Sequence, residues 1–140
     1  MAEIGFVGQV GRLKRALRRD FETRAAPLGV TASQFHVLRN LWEEDGIQTS
    51  ALSRGTPYDC ATMTGVLDRL ESRGLVRRER SSKDRRAVRI YLTPAGKALE
   101  EPLMRAVAQL NERAMAGLSP SEREELVRML DHVGGNLDAW

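Results

Sequence analysis

Three features of the sequence predict a mainly α-helical fold with a small β-hairpin. Apolar residues recur at spacings of three and four through most of the chain, which is the period of an amphipathic helix. Residues 77–96 instead place a Ser-Ser-Lys-Asp turn before a segment of alternating apolar and polar residues, as in a hairpin. The chain has 140 residues, of which 41% are hydrophobic and 29% charged. This size favours a single soluble domain over residues 1–140.

The first two helices are predicted on either side of Pro27 and Gly29. The first covers residues 6–25, and its apolar positions are Phe6, Val10, Leu13, Leu17 and Phe21. The second begins at Thr31, which forms a capping box with Gln34, and it ends at Asp45-Gly46.

Two further helices precede the hairpin. The polar segment Thr49–Arg54 has room for about two helical turns, and Asp59 is a suitable N-cap for a helix that runs to Arg73. One side of this longer helix is apolar: Met63, Val66, Leu67 and Leu70. The opposite side is polar or small: Thr64, Gly65, Asp68 and Ser72.

The second half of the chain is predicted as two strands and two helices. The strands cover residues 75–80 and 87–92. Thr93-Pro94 then opens a long helix that reaches Met115. Ser119 with Glu122 forms a second capping box and begins the last helix, in which Gly134-Gly135 weakens the final turns.

This order of elements indicates a winged helix-turn-helix module over residues 31–92, since a helix-turn-helix pair is followed by a hairpin. The outer helices carry more apolar positions than one small module can bury. Residues 1–25 and 97–138 are therefore predicted to form a dimerisation layer.

Positive charge is concentrated around the hairpin. Residues 69–89 hold nine Lys and Arg against three Asp and Glu, a local balance of 9 − 3 = +6. The whole chain carries a formal charge of +3, so the remainder carries −3. Such a positive stretch is typical of a polyanion-binding surface, although a charge run is often only a solvated face. Pleat geometry places Arg78 and Arg80 on the side opposite Arg77, so these arginines cannot all face DNA.

Three stretches of the chain resemble the MarR family of bacterial winged-helix regulators: TASQFHVLRNLW, ATMTGVLDRLESRGLVRRERSSKDRRAVRIYLTPAG and LSPSEREEL. The resemblance covers nearly the whole chain and is strongest over residues 66–96. It implies that a wing arginine, Arg86, enters the minor groove of DNA while Asp84 orients its guanidinium. It also implies that the helix from Asp59 to Arg73 reads the major groove. Gly65 departs from the family, which often has a larger base-reading side chain there.

The DNA contacts implied by the resemblance and by position lie on both helices of the pair and on the wing. The candidates are Ser53, Arg54, Thr62, Thr64, Arg69, Arg73, Lys83, Asp84, Arg85 and Arg86. Each threonine is equally suited to a bond with its own helix backbone. Arg86→Ala is expected to weaken operator binding by about 1 to 3 kcal/mol.

A sensor site is less well defined by the sequence. The resemblance implies a small aromatic or phenolic effector, for which Phe21, His36, Arg39 and Trp42 are candidates, although Phe21 and Trp42 are equally suited to the core. Cys60 lies where a helix dipole would activate a thiol, yet the chain has no second cysteine, so an inert residue is the favoured interpretation. The two histidines show no metal-ligand spacing, and no cofactor is expected.

The sequence is interpreted as that of a homodimeric transcriptional regulator that binds double-stranded DNA in the cytoplasm. It is expected to repress from a pseudo-palindromic operator and to leave it when a small molecule or an oxidant acts. A nucleoid-type protein that coats DNA with low specificity is the alternative, which Gly65 mildly favours. No catalytic motif indicates an enzyme, and no signal peptide or membrane span is expected.

Overall fold

The computed structural model describes residues 5–139, apart from positions 55, 57, 85 and 86. Seven α-helices are found in these residues: α1 (Gly5–Ala25), α2 (Ala32–Glu43), α3 (Thr49–Arg54), α4 (Cys60–Ser72), α5 (Pro94–Ala98), α6 (Glu100–Ala114) and α7 (Pro120–Asn136). The strands are β1 (Ile47–Gln48), β2 (Val76–Arg80) and β3 (Val88–Leu92). The mainly α-helical fold with a small hairpin wing is confirmed.

The sheet has three antiparallel strands in the order β1-β3-β2, not two as predicted. Arg78 of β2 and Ile47 of β1 both lie opposite Ile90 of β3. The sequence prediction missed β1 because a two-residue strand has no alternating pattern to recognise. The extra strand joins the wing to the residues that precede α3.

The core of the winged module forms where α2, α4 and the sheet meet. The predicted apolar side of α4 is buried, with Met63, Val66, Leu67 and Leu70 all at most 1% exposed. Leu38 and Leu41 of α2 and Ile90 of β3 are also fully buried. Because one side of α4 is fixed in this core, its polar side is left facing outward.

The long helix predicted from Thr93 to Met115 is interrupted. Residues 94–98 form α5, Leu99 caps it, and α6 begins at Glu100. Pro102 explains the break, because it has no N–H to donate to the carbonyl of Ala98. The final helix, by contrast, continues through Gly134-Gly135 to Asn136, so the expected weakness there does not end it.

The backbone divides into two compact units, residues 1–107 and residues 108–140. In the first unit, α1 exposes Phe6, Val7, Val10 and Leu13, and α6 exposes Met104. In the second unit, α7 and the residue that follows it expose Val127, Met129, Leu130 and Leu137. Among the helices described, none is both long and apolar enough to cross a bilayer.

Candidate nucleic-acid interface

The helix α4 is held at its beginning by Asp59, whose side chain accepts the backbone N–H of Thr62 at 2.7 Å. The pKa of Asp59 is lowered, chiefly by this backbone bond and then by one from the Thr62 hydroxyl. A charged Asp59 also suits the positive end of the helix dipole. The exposed N-terminal turns of α4 are thereby well ordered for contact with a partner.

Both threonines proposed as DNA contacts are exposed, and both hydroxyls have local partners. Thr62 donates to Asp59, and Thr64 donates to the carbonyl of Cys60 at 2.9 Å. Thr64 therefore makes the helix-backbone bond that the sequence left open as an alternative to a DNA contact. Neither hydroxyl proton is free to read a base without breaking a bond.

The first strand of the hairpin wing, β2, is joined to α4 by Arg78. Its Nη2 lies 2.7 Å from Oδ1 of Asp68 and 3.4 Å from the carbonyl oxygen of Thr64. Its Nη1 lies 3.7 Å from Oε1 of Glu71, and its backbone N–H donates to Glu71 Oε2 at 3.1 Å. We call Arg78, Asp68 and Glu71 the wing clamp. It places one cation beside two carboxylates on the exposed side of α4, and so offsets part of the negative charge that would otherwise repel phosphates.

Two more hairpin arginines have partners within the protein. The guanidinium of Arg77 lies 4.6 Å from the centre of the Tyr91 ring and pairs with Glu79 at 2.7 Å. Arg89 donates to the carbonyl of Gly46 at 2.8 Å. Arg77, Arg78 and Arg89 thus contact groups within the protein, as the sequence reasoning expected for some of the hairpin arginines. Sequence reasoning did not identify these partners, most of which lie on other elements.

The two arginines at the end of α4 differ in their surroundings. Arg73 donates through Nη1 to the carbonyl of Gly29 and through Nη2 to that of Leu28 at 3.2 Å, so it ties α4 to the loop before α2. The side chain of Arg69 has no hydrogen bond or ion pair with any residue that the structure describes, and its guanidinium lies above Gly65. Arg69 is thus the better placed of the two for an external partner.

The remaining candidates lie on α3 and at the wing tip. Ser53 is half-buried and Arg54 is exposed at the end of α3. At the wing tip, Lys83 and Asp84 are exposed, and the Ser81 hydroxyl accepts their backbone N–H groups at 3.2 and 3.4 Å. Arg85 and Arg86 lie outside the described residues, and so does the proposed contact between Asp84 and Arg86.

A groove runs between the wing, α3 and α4, with a volume of about 480 Å³. Its lining includes Thr49 and Ser50 from α3, Thr64 from α4, and Arg78 and Arg80 from the wing. Polar side chains from three separate elements therefore face one concave surface, as expected for a helix-turn-helix and its wing.

Comparison with known proteins identifies the family. The MarR family model matches residues 30–88. The HTH-type transcriptional repressor Rv2887 of Mycobacterium tuberculosis is 30% identical over 125 residues, which is 89% of this chain and 90% of that protein. The chain belongs to the MarR family. The repressor NicR of Pseudomonas putida is 32% identical over 126 residues, covering 87% of this chain and 80% of that protein.

Solved MarR structures have the same fold. A MarR regulator from Methanosarcina mazei superposes with a TM-score of 0.87 at 29% identity, covering 96% of this chain and 99% of that one. A mutant MarR from E. coli in complex with operator DNA superposes with a TM-score of 0.83 at 30% identity, covering 93% and 94%. The protein is a DNA-binding transcriptional regulator of the MarR family, and its relatives are regulators rather than enzymes.

The four residues proposed to bind an effector differ in their surroundings. Phe21 is buried and its ring centre lies 4.8 Å from that of Phe35. Trp42 donates its indole N–H to the carbonyl of Gly96 at 3.1 Å. Both have the packing roles that the sequence left open. His36 is half-buried and Arg39 is exposed, and these two are the more available pair.

His36 lies in a positively charged environment. Burial lowers the pKa of its imidazole, and the charges of Arg39, Lys14 and Arg18 lower it further. Its ring centre is 6.1 Å from that of Tyr58. A neutral ring beside three cations is chemically suited to an anionic aromatic ligand.

Cys60 is an exposed free thiol at the first position of α4. His36 and His132 belong to no group of three or more metal-ligating side chains among the residues described.

Proposed function

We propose that this MarR-family protein is a homodimeric repressor that acts in the cytoplasm on a pseudo-palindromic operator. The observation that carries the proposal is the outward polar side of α4, which the wing clamp joins to a hairpin whose sequence is rich in arginine. Two copies related by a two-fold axis would place their α4 helices in major grooves about 34 Å apart.

Dimerisation is supported by the apolar side chains that the single chain leaves exposed. On α1, Phe6 is 54% and Val7 is 81% exposed, and in the second unit Leu130 is 45% and Leu137 is 72% exposed. Large apolar side chains in such numbers are typical of a protein interface. Sedimentation is expected to give a dimer that Leu130→Glu weakens, while Glu44→Lys, an exposed substitution in the winged module, leaves it intact. A monomeric wild-type protein would contradict the proposal.

Operator binding is tested with duplexes selected by the protein from a random library. Selected and scrambled duplexes are compared at one salt concentration, and a ratio of at least about 10³ is expected for a specific regulator. A ratio near one would instead support the alternative, a nucleoid-type protein that coats DNA. Arg86→Ala is expected to weaken operator binding by about 1 to 3 kcal/mol, as for a groove contact.

Release by an effector is proposed to involve His36 and Arg39, with Phe21 and Trp42 shaping the core behind them. The nearby charges of Lys14 and Arg18 favour a carboxylate, so benzoate is a suitable probe. It is expected to lower operator affinity in the wild type and to act less on Arg39→Ala.

Oxidant release through Cys60 is the other route, and Cys60→Ser would abolish a peroxide response but not a benzoate response.

A further inference from the structure

The recognition helix α4 has no side chain at one outward position. Gly65 lies on the side opposite the buried residues Met63 and Leu67, where the family often has a larger base-reading residue. A helix interior also disfavours glycine by about 1 kcal/mol relative to alanine. Gly65 thus leaves open how this protein distinguishes one base pair from another.

The space above Gly65 is occupied by the side chain of Arg69, one helical turn later. A Cβ atom built on Gly65 would lie 3.7 Å from Nη1 and 3.8 Å from Nη2 of Arg69. Helical side chains lean toward the N-terminus, so a long arginine reaches back over the residue four positions earlier. The guanidinium of Arg69 is thereby delivered to the N-terminal half of α4, the part of a recognition helix that contacts base edges.

Several other polar side chains near Gly65 and Arg69 are already bonded. The hydroxyls of Thr62 and Thr64 donate to neighbours in the helix, and Asp68 pairs with Arg78 of the wing. Arg73 donates to carbonyls of another loop. Arg69 is exposed and makes no such bond within the described part of the chain.

We propose that Arg69 is the base-reading residue of α4 and that Gly65 provides the space it occupies. The inference rests on the proposed function, operator binding through α4. The planar guanidinium carries parallel N–H donors that match O6 and N7 of guanine in the major groove. Each half-operator should therefore contain one guanine whose identity depends on Arg69.

The test compares base preferences across a duplex library for wild type, Arg69→Ala and Arg69→Lys. Arg69→Ala is expected to lose the preference at one symmetry-related pair of guanines, where wild type discriminates by about 5- to 150-fold per half-site. Preferences elsewhere should remain. Arg69→Lys keeps the charge and should retain only part of the guanine preference, because an ammonium lacks the rigid, planar pair of donors of a guanidinium.

A substitution at Gly65 keeps the charge of Arg69 but fills the space that its guanidinium occupies. Gly65→Leu should displace the guanidinium and change the preference at the same guanines, whereas Gly65→Ala should not, because its Cβ would make only ordinary contact. Thermal unfolding of both variants is the control that checks that they fold.

Three results would overturn the inference in different ways. If Arg69→Ala weakens binding equally on all sequences and lowers the salt slope, Arg69 contacts phosphate and reads no base. If wild type itself shows no sequence preference, the proposed operator function fails and the inference fails with it. A normal wild-type preference that survives in Arg69→Ala refutes the inference alone.

Discussion

Nη2 of Arg78, on the first strand of the hairpin wing, lies 2.7 Å from Oδ1 of Asp68 on the recognition helix. This ion pair joins the two elements that would enter adjacent grooves of DNA. Glu71 extends it by accepting the backbone N–H of Arg78 at 3.1 Å. The angle between wing and helix is thus fixed by side chains that need not touch DNA.

Loss of the wing clamp should weaken operator binding without removing a phosphate contact. Arg78→Ala is expected to lower operator affinity about threefold to tenfold, because the wing must then be ordered on binding. The slope of log K against log salt should not change, since carboxylates already neutralise Arg78. Fluorescence anisotropy at several salt concentrations measures both quantities. A slope reduced by about one per subunit would show that Arg78 contacts phosphate instead.

The stability of the clamp can be measured separately. A double-mutant cycle of Arg78→Ala and Asp68→Ala is expected to give a coupling free energy of about 0.5 to 1 kcal/mol in urea unfolding, because both side chains are partly exposed. The Arg105–Glu101 pair on α6 is a suitable control, since it is more exposed and one turn apart in a helix. Its coupling should be about 0.3 kcal/mol. Equal values for the two pairs would argue against a clamp.

Gly96 is expected to tolerate no side chain. A Cβ atom there would lie 2.1 Å from the carbonyl oxygen of Leu75 and 3.1 Å from Cδ2 of Leu92. Gly96→Ala should therefore destabilise the protein by about 2 to 3 kcal/mol, because backbone must move. Gly135→Ala is the control: Gly135 lies in α7 with nothing within 4 Å, so alanine should stabilise by up to about 1 kcal/mol. Urea unfolding measures both, and equal effects would contradict the prediction.

Local features of the fold could be predicted from the sequence because neighbouring residues determine them. Thr31 with Gln34 and Ser119 with Glu122 form both predicted capping boxes. The short helix Thr49–Arg54 and the buried side of α4 were also predicted correctly.

Features that depend on distant partners could not be predicted. The strand Ile47–Gln48 exists because Ile90 lies opposite it, and nothing in two residues reveals this. Likewise, the sequence showed that some hairpin arginines must serve the protein. Asp68 becomes the partner of Arg78 only when α4 packs beside β2, and Tyr91 becomes the partner of Arg77 only when β3 pairs with β2. In the sequence, Arg73 and Arg69 are both arginines near the end of α4 and are equally good candidates for a DNA contact. Only the folded position of the loop at Gly29, which binds Arg73, distinguishes their roles.

Arg73 and Arg54 should therefore respond oppositely to truncation. Arg73→Ala loses bonds to two carbonyls and is expected to lower the free energy of unfolding by about 1 kcal/mol, with an unchanged salt slope for DNA binding. Arg54→Ala should leave stability unchanged and lower the salt slope by about one per subunit, as expected for a phosphate contact. Unfolding and salt titrations of both variants check this. If instead Arg54→Ala lowers stability and Arg73→Ala lowers the salt slope, then Arg73 contacts phosphate and Arg54 has the structural role.

Acid should destabilise the protein partly through His36. Burial lowers the pKa of this imidazole below 6.5 in the folded chain, and Arg39 and Lys14 add to the effect. The unfolded chain therefore binds a proton first as pH falls, so the stability associated with a neutral His36 is present above about pH 6.5 and is lost progressively below it. His36→Gln should flatten the pH dependence of unfolding between pH 7 and the lowered pKa. Urea unfolding at a series of pH values measures the difference. If the wild type and His36→Gln lose stability in parallel on acidification, other groups must account for the acid sensitivity.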